Sequence, residues 1–178
     1  VVATGATMIH ITPPVFDPLP IAAKVLRAGR ESKPTPFAGY NEVLARYSAW
    51  LVAQRAQGWD VIDAHNPMAA AIAHRRQTDP VFTFSKDGVH PDTAGHAVIA
   101  HAILSAWGLQ PDKNELLVTL TANPDTPLLQ LIRERRKLVM AAWLTASGHQ
   151  RPGVAAGLPL AEAELKAAAI EAKIRELK

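Results

Sequence analysis

Two residues of the chain have types and spacing suited to acid–base chemistry: Asp87 and His90, three apart in Asp87-Gly-Val-His90-Pro91. At that separation on a loop, the Asp carboxylate can bind Nδ1 of the imidazole, fix its tautomer and stabilise the imidazolium that forms when Nε2 takes a proton. Gly88 allows the sharp turn between them, and Pro91 stiffens the entry to the next helix. The same residues also describe an Asp-Gly turn whose carboxylate caps a nearby amide and leaves the histidine exposed. A metal site is a rival arrangement, drawing on Asp63, His65, Asp87, His90, Asp92 and His96. Its spacings argue against it: His96 and His101 are five apart on a helix and face different ways, and no His-Glu-x-x-His occurs. The sequence implies no cofactor and no metal.

The elements that must carry these residues follow from pattern. Residues 1–3 read as a helix end and Gly5 as its left-handed cap, and Ala6–Thr12 reads as a short buried strand stopped by Pro13-Pro14. Residues 15–38 form a long irregular excursion. Val43, Leu44, Tyr47, Trp50, Leu51 and Gln54 then recur at helical spacing, with Gly58 as the cap. Trp59–Asp63 is the next strand, and strand, helix, strand with such a crossover implies parallel neighbours. The carboxyl ends of those strands, at Pro13-Pro14 and Asp63-Ala-His65, are where an α/β sheet carries its site. A helix is expected from Pro67 to Arg76, an extended run over Val81–Phe84, and a helix from Asp92 or Thr93 to Trp107 that buries Val98, Ile99, Ala102, Ile103 and Ala106. Residues 111–124 are poorly patterned. Thr126-Pro127 opens a helix that buries Leu128, Leu131, Ile132, Leu138, Val139, Ala142 and Trp143 and ends at Gly148. Leu160–Leu177, with Leu165, Ile170, Ile174 and Leu177 apolar, completes a helical hairpin.

The block Asp87-Gly-Val-His90-Pro-Asp-Thr-Ala-Gly95-His resembles the last sequence block of the SGNH (GDSL-type) hydrolases, whose Asp and His complete a Ser-His-Asp triad. The order of elements before it looks like the final third of that flavodoxin-like fold, and Val15-Phe-Asp17, Pro36-Phe-Ala-Gly-Tyr40 and Tyr47-Ser-Ala-Trp-Leu51 are similar to one subgroup with a C-terminal helical extension. The resemblance covers residues 1–110 and implies a partial flavodoxin-like parallel sheet with helices, followed by a helical extension over 111–178. It also implies a serine ester hydrolase acting on a small-molecule ester, leaning toward acetylated carbohydrates, with His90 as general base and Asp87 as its orienting partner. The family's Gly-Asp-Ser block, the next block's Gly and the Gly-x-Asn-Asp block are absent, so nucleophile and oxyanion donors are missing. None of Ser32, Ser48, Ser85, Ser105 and Ser147 occupies a nucleophile elbow. The chain therefore reads as an N-terminally incomplete hydrolase, inactive alone. The alternative, from a different functional class, is a non-catalytic α/β interaction module whose hairpin binds a partner.

Composition sets outer bounds. The 178 residues are 48% apolar and 20% charged, which fits a globular fold and excludes a disordered tail. The longest near-apolar stretch, Ala97–Leu109, is interrupted by His101 and Ser105 and is too short for a membrane span. Nineteen Lys and Arg stand against 16 Asp and Glu, and their one cluster, Arg133, Arg135, Arg136 and Lys137, includes Glu134 and reads as a solvated helix face with no nucleic-acid footprint. With no Cys, thiol catalysis and disulfides are excluded. Export signal and oligomeric state are not readable from these residues.

Overall fold

A computed structural model describes residues 5–25, 37–112, 126–149, 153 and 155–177. The expected helix end at 1–3 and any element at 116–120 lie outside the described residues. The chain forms two compact units, 1–121 and 122–178. Its class is mixed α/β, with a two-stranded parallel sheet and five α-helices among the described residues.

In the first unit, β1 (Ile9–Ile11) pairs in parallel with β2 (Asp60–Ile62), Ile9 opposite Asp60 and Ile11 opposite Ile62. The Thr12 amide extends the ladder by donating to the Ile62 carbonyl at 3.0 Å. The strand is shorter than the Ala6–Thr12 expected, because its partner begins only at Asp60. Before Asp60 the chain is still leaving a helix through Gly58, whose φ of 81° turns it. β1 is also not the buried strand expected: Ile9 and Ile11 are exposed, and only His10 is half-buried, stacked on Trp59 at 4.6 Å. Two strands cannot enclose both faces of a sheet.

The crossover is α1 (Tyr40–Ala53), tightened into a 3-10 turn over Gln54–Gln57. The apolar spacing placed Tyr47 and Trp50 inward, yet both are exposed and Ser48 is the fully buried residue of this helix. Its hydroxyl donates to the Leu44 carbonyl at 2.8 Å, so a small polar side chain can face the interior without an orphaned group. Trp50 instead meets Trp59 edge-on at 5.9 Å.

α2 spans His65–Arg75, starting two residues before the expected Pro67. The reason is a cap borrowed from the first strand: the Thr12 hydroxyl oxygen accepts from the amides of Ala64 and His65, both at 2.9 Å. Pro67 is then accommodated within the first turn, where its missing amide removes no intrahelical bond. Met68 and Ile72 of α2 meet Val15 and Phe84 in the core, with Phe82, Val98 and Ile99 packed around them. Residues 81–84 pair with no strand among the described residues.

α3 (Thr93–Ala106) begins where the Asp92 carboxylate accepts from the Gly95 amide at 2.9 Å. Its fully buried residues are Gly95 and Ala97. Val98, Ile99, Ala102 and Ile103 are half-buried, while Ala106, expected inside, is exposed. Close approach sets this: a Cβ on Gly95 would stand 2.8 Å from the Pro91 side chain and 3.0 Å from that of Phe84.

The second unit is the expected helical hairpin of α4 (Pro127–Ala146) and α5 (Leu160–Glu176). Thr126 caps α4 by accepting from the Leu129 amide at 3.2 Å, with Pro127 at the first position. The seam is built from small residues: Ala142, Ala163 and Ala167 are buried beside Ile170 and Ile174. Positions 163, 167, 170 and 174 follow one helical stripe, whereas Ile132 and Trp143, expected inside, are exposed, as are the apolar Leu165 and Leu177. A Cβ on Gly157 would overlap the backbone of Ala141 and Ala142, so the connecting chain lies directly on α4. The Gly157 amide donates to the Thr145 hydroxyl at 2.7 Å there.

Candidate functional site

The segment before α3 folds back on itself. The Ser85 amide donates to the Thr83 hydroxyl at 3.1 Å, the Gly88 amide to the Ser85 carbonyl at 3.1 Å, and the Asp92 amide to the Phe84 carbonyl at 2.6 Å. Phe84 is buried, so the loop is anchored in the core at its base while the side chains of Asp87 and His90 at its tip stand in solvent.

At that tip Asp87 accepts three hydrogen bonds. Oδ1 takes the amides of Val89 at 3.0 Å and His90 at 2.8 Å, and Oδ2 takes Nδ1 of the His90 ring at 2.7 Å. The His90 amide, then the ring contact, then the Val89 amide hold the Asp87 carboxyl well below the ordinary carboxylate range. The carboxylate thus closes the Asp-Gly turn with one oxygen and binds the imidazole with the other. With Nδ1 engaged as donor, Nε2 is the ring atom left to accept a proton. The histidine side chain is 83% exposed, so the pair stands on open surface.

The other acidic and histidine residues near the sheet end are engaged separately. Asp63 accepts from the Thr12 hydroxyl at 3.2 Å and from the Asn66 amide and side chain at 3.1 and 2.6 Å. His65 is buried with Nδ1 3.2 Å from the Pro13 carbonyl. Asp92 caps α3, and His96 is exposed on that helix. Among the described residues, no group of three or more His, Asp or Glu converges as a metal ion requires.

The serines are dispersed. Ser48 and Ser85 are buried, Ser105 is half-buried on α3 with its hydroxyl 3.5 Å from His101 Nδ1, and the Ser147 hydroxyl donates to the Leu144 carbonyl at the end of α4. Ser32 lies outside the described residues.

Three residues with no role assigned from the sequence hold this region together. Thr12 joins the ends of both strands to α2, as described above. Asp17, 3% exposed, receives Arg76 Nη2 at 2.7 Å, and Asn41 at the start of α1 accepts from the Phe16 amide at 3.0 Å. Phe16, Asp17, Asn41, Glu42, Ile72 and Arg76 contribute to the walls of an open groove of about 530 Å³. Asp17 and Arg76, 59 positions apart, carry no local signal of pairing. No helix among the described residues is long and apolar enough to cross a membrane.

No family model matches the chain, and no curated protein matches it. Among solved structures, a gut microbial diltiazem-metabolizing enzyme is similar over 58% of this chain, at 28% identity and a TM-score of 0.45. The matched part is 22% of that enzyme's own length.

Proposed function

We propose that residues 1–110 are the carboxyl-terminal portion of a serine ester hydrolase of the SGNH (GDSL) type, with His90 as general base and Asp87 as the residue that orients it. The observation that carries this reading is the 2.7 Å contact between Asp87 Oδ2 and His90 Nδ1, made by a loop anchored at its base and open at its tip. In such an enzyme a serine Oγ attacks the acyl carbonyl of a small ester while His90 Nε2 takes its proton. The imidazolium, stabilised by Asp87, returns that proton to the departing alkoxide as the carbonyl–alkoxy bond breaks. Water then enters by the same route: Nε2 takes its proton, the acyl–serine bond breaks, and the proton returns to the serine. Serine and oxyanion donors come, in this reading, from sequence outside the 178 residues, because the blocks that supply them are absent here.

The test is expression of the complete open reading frame that encodes these residues, followed by acetyl ester turnover for the parent and for His90→Ala. A strand ending in Gly-Asp-Ser upstream, with turnover abolished by His90→Ala, supports the proposal. Turnover that survives that substitution, or a frame with no such block, refutes it.

A further inference from the structure

The loop that carries Asp87 and His90 pairs with no strand among the described residues, so its tip depends on contacts from elsewhere. Gly88 lies between the two residues at φ +77°, and a Cβ there would come 2.5 Å from the Asp17 carbonyl oxygen. The Asp17 amide donates to the Gly88 carbonyl at 2.9 Å. The tip is therefore pinned at its middle by the backbone of residue 17, which belongs to the chain leaving β1.

Residue 17 is itself held by its side chain. One carboxylate oxygen accepts from the Leu19 amide at 3.2 Å and the other from Arg76 Nη2 at 2.7 Å. Arg76 Nε donates to the Phe82 carbonyl at 2.9 Å. One planar guanidinium thus fixes both the segment that presses on Gly88 and the segment that leads into the loop. Lysine retains the charge, but its single ammonium cannot reproduce that fork. A partly buried ion pair adds little net stability, since desolvation offsets much of the attraction. What this one contributes is geometry.

We infer that Arg76 and Asp17 are positioning residues for the Asp87–His90 pair, acting through Gly88. The inference rests on reading that pair as the working groups of the site, yet its test needs no turnover. The carboxyl of Asp87 is titrated by carbon-13 NMR in the 178-residue chain, in the parent, in Arg76→Lys and in Val61→Ala, the last being a core change that lowers stability away from these contacts. A displaced loop misaligns the amide donors of Val89 and His90, so Arg76→Lys moves the Asp87 midpoint up by about one pH unit. Val61→Ala leaves it unchanged. Because lysine keeps the positive charge, a long-range electrostatic effect predicts no movement in Arg76→Lys. A folded Arg76→Lys whose Asp87 titrates as in the parent overturns the inference. Should that variant fail to fold, Asp17→Asn, which keeps volume and the backbone amide, is read by the same criterion. Absence of ester turnover in the complete enzyme would count against the hydrolase reading and leave this titration result standing.

Discussion

Replacing Thr12 with valine removes one oxygen and keeps the shape of the side chain. Thr12 is 1% exposed, and its hydroxyl oxygen serves the amides of Ala64 and His65 while donating to Asp63. Ala64 and His65 are buried at 1% and 2%, so water cannot replace the lost acceptor. Each buried amide left without a partner costs about 1–3 kcal/mol, so the two that Thr12 caps at the helix start give about 2–6 kcal/mol. Thr12→Ser restores the oxygen and loses only a methyl group, so it costs about 1 kcal/mol. The assay is urea unfolding followed by tryptophan fluorescence in a Trp143→Phe background. Trp50, Trp59 and Trp107 then report on the first unit alone, and Trp143 is exposed enough to spare. Equal destabilisation by Val and Ser, or a loss below 1 kcal/mol for Val, would show that the hydroxyl does not hold the strand ends to α2.

Because the Asp87 carboxyl lies well below its ordinary range in the folded chain, the stability it contributes is complete above that range and is lost progressively as pH falls from there toward the lowered value of the folded state. The difference in melting temperature between the parent and Asp87→Asn is therefore constant above about pH 5 and shrinks steadily as pH falls below about pH 4, which thermal melts from about pH 6 down to the acid limit of folding check. In the hairpin, Ile170→Ala lowers stability by about 2–4 kcal/mol, whereas Leu165→Ala, at a position 75% exposed, changes it by less than about 0.5 kcal/mol; denaturant midpoints rank the two. The 178-residue chain by itself hydrolyses an activated acetyl ester no faster than a surface histidine does, and stopped-flow traces show no burst.

What could be read from sequence was local. Asp87 and His90 lie within one turn, Thr126-Pro127 caps its own helix, and Gly58 and Gly148 adopt the positive φ that their places after helices demanded. Parallel pairing of the strands followed from crossover length alone. The failures share a cause, which is dependence on partners far along the chain. Thr12 caps a helix more than 50 positions away, and Asp17 meets Arg76 across 59. Apolar spacing in α1 favoured Tyr47 and Trp50 for the interior, but the residue buried there is Ser48, its hydroxyl satisfied by the Leu44 carbonyl. Small residues also line the hairpin seam, where alanines are buried and Trp143, which periodicity favoured, is exposed.

A carboxylate can only accept, so the 2.7 Å contact with Asp87 requires His90 to carry its proton on Nδ1, leaving the Nε2 lone pair for proton transfer. Nitrogen-15 NMR of the labelled chain, at a pH where the His90 ring is neutral, reads that tautomer directly. The parent is expected to show a predominant Nδ1–H form, reverting in Asp87→Ala to the Nε2–H form that an unconstrained imidazole favours. A parent chain in which His90 is already Nε2–H would contradict it.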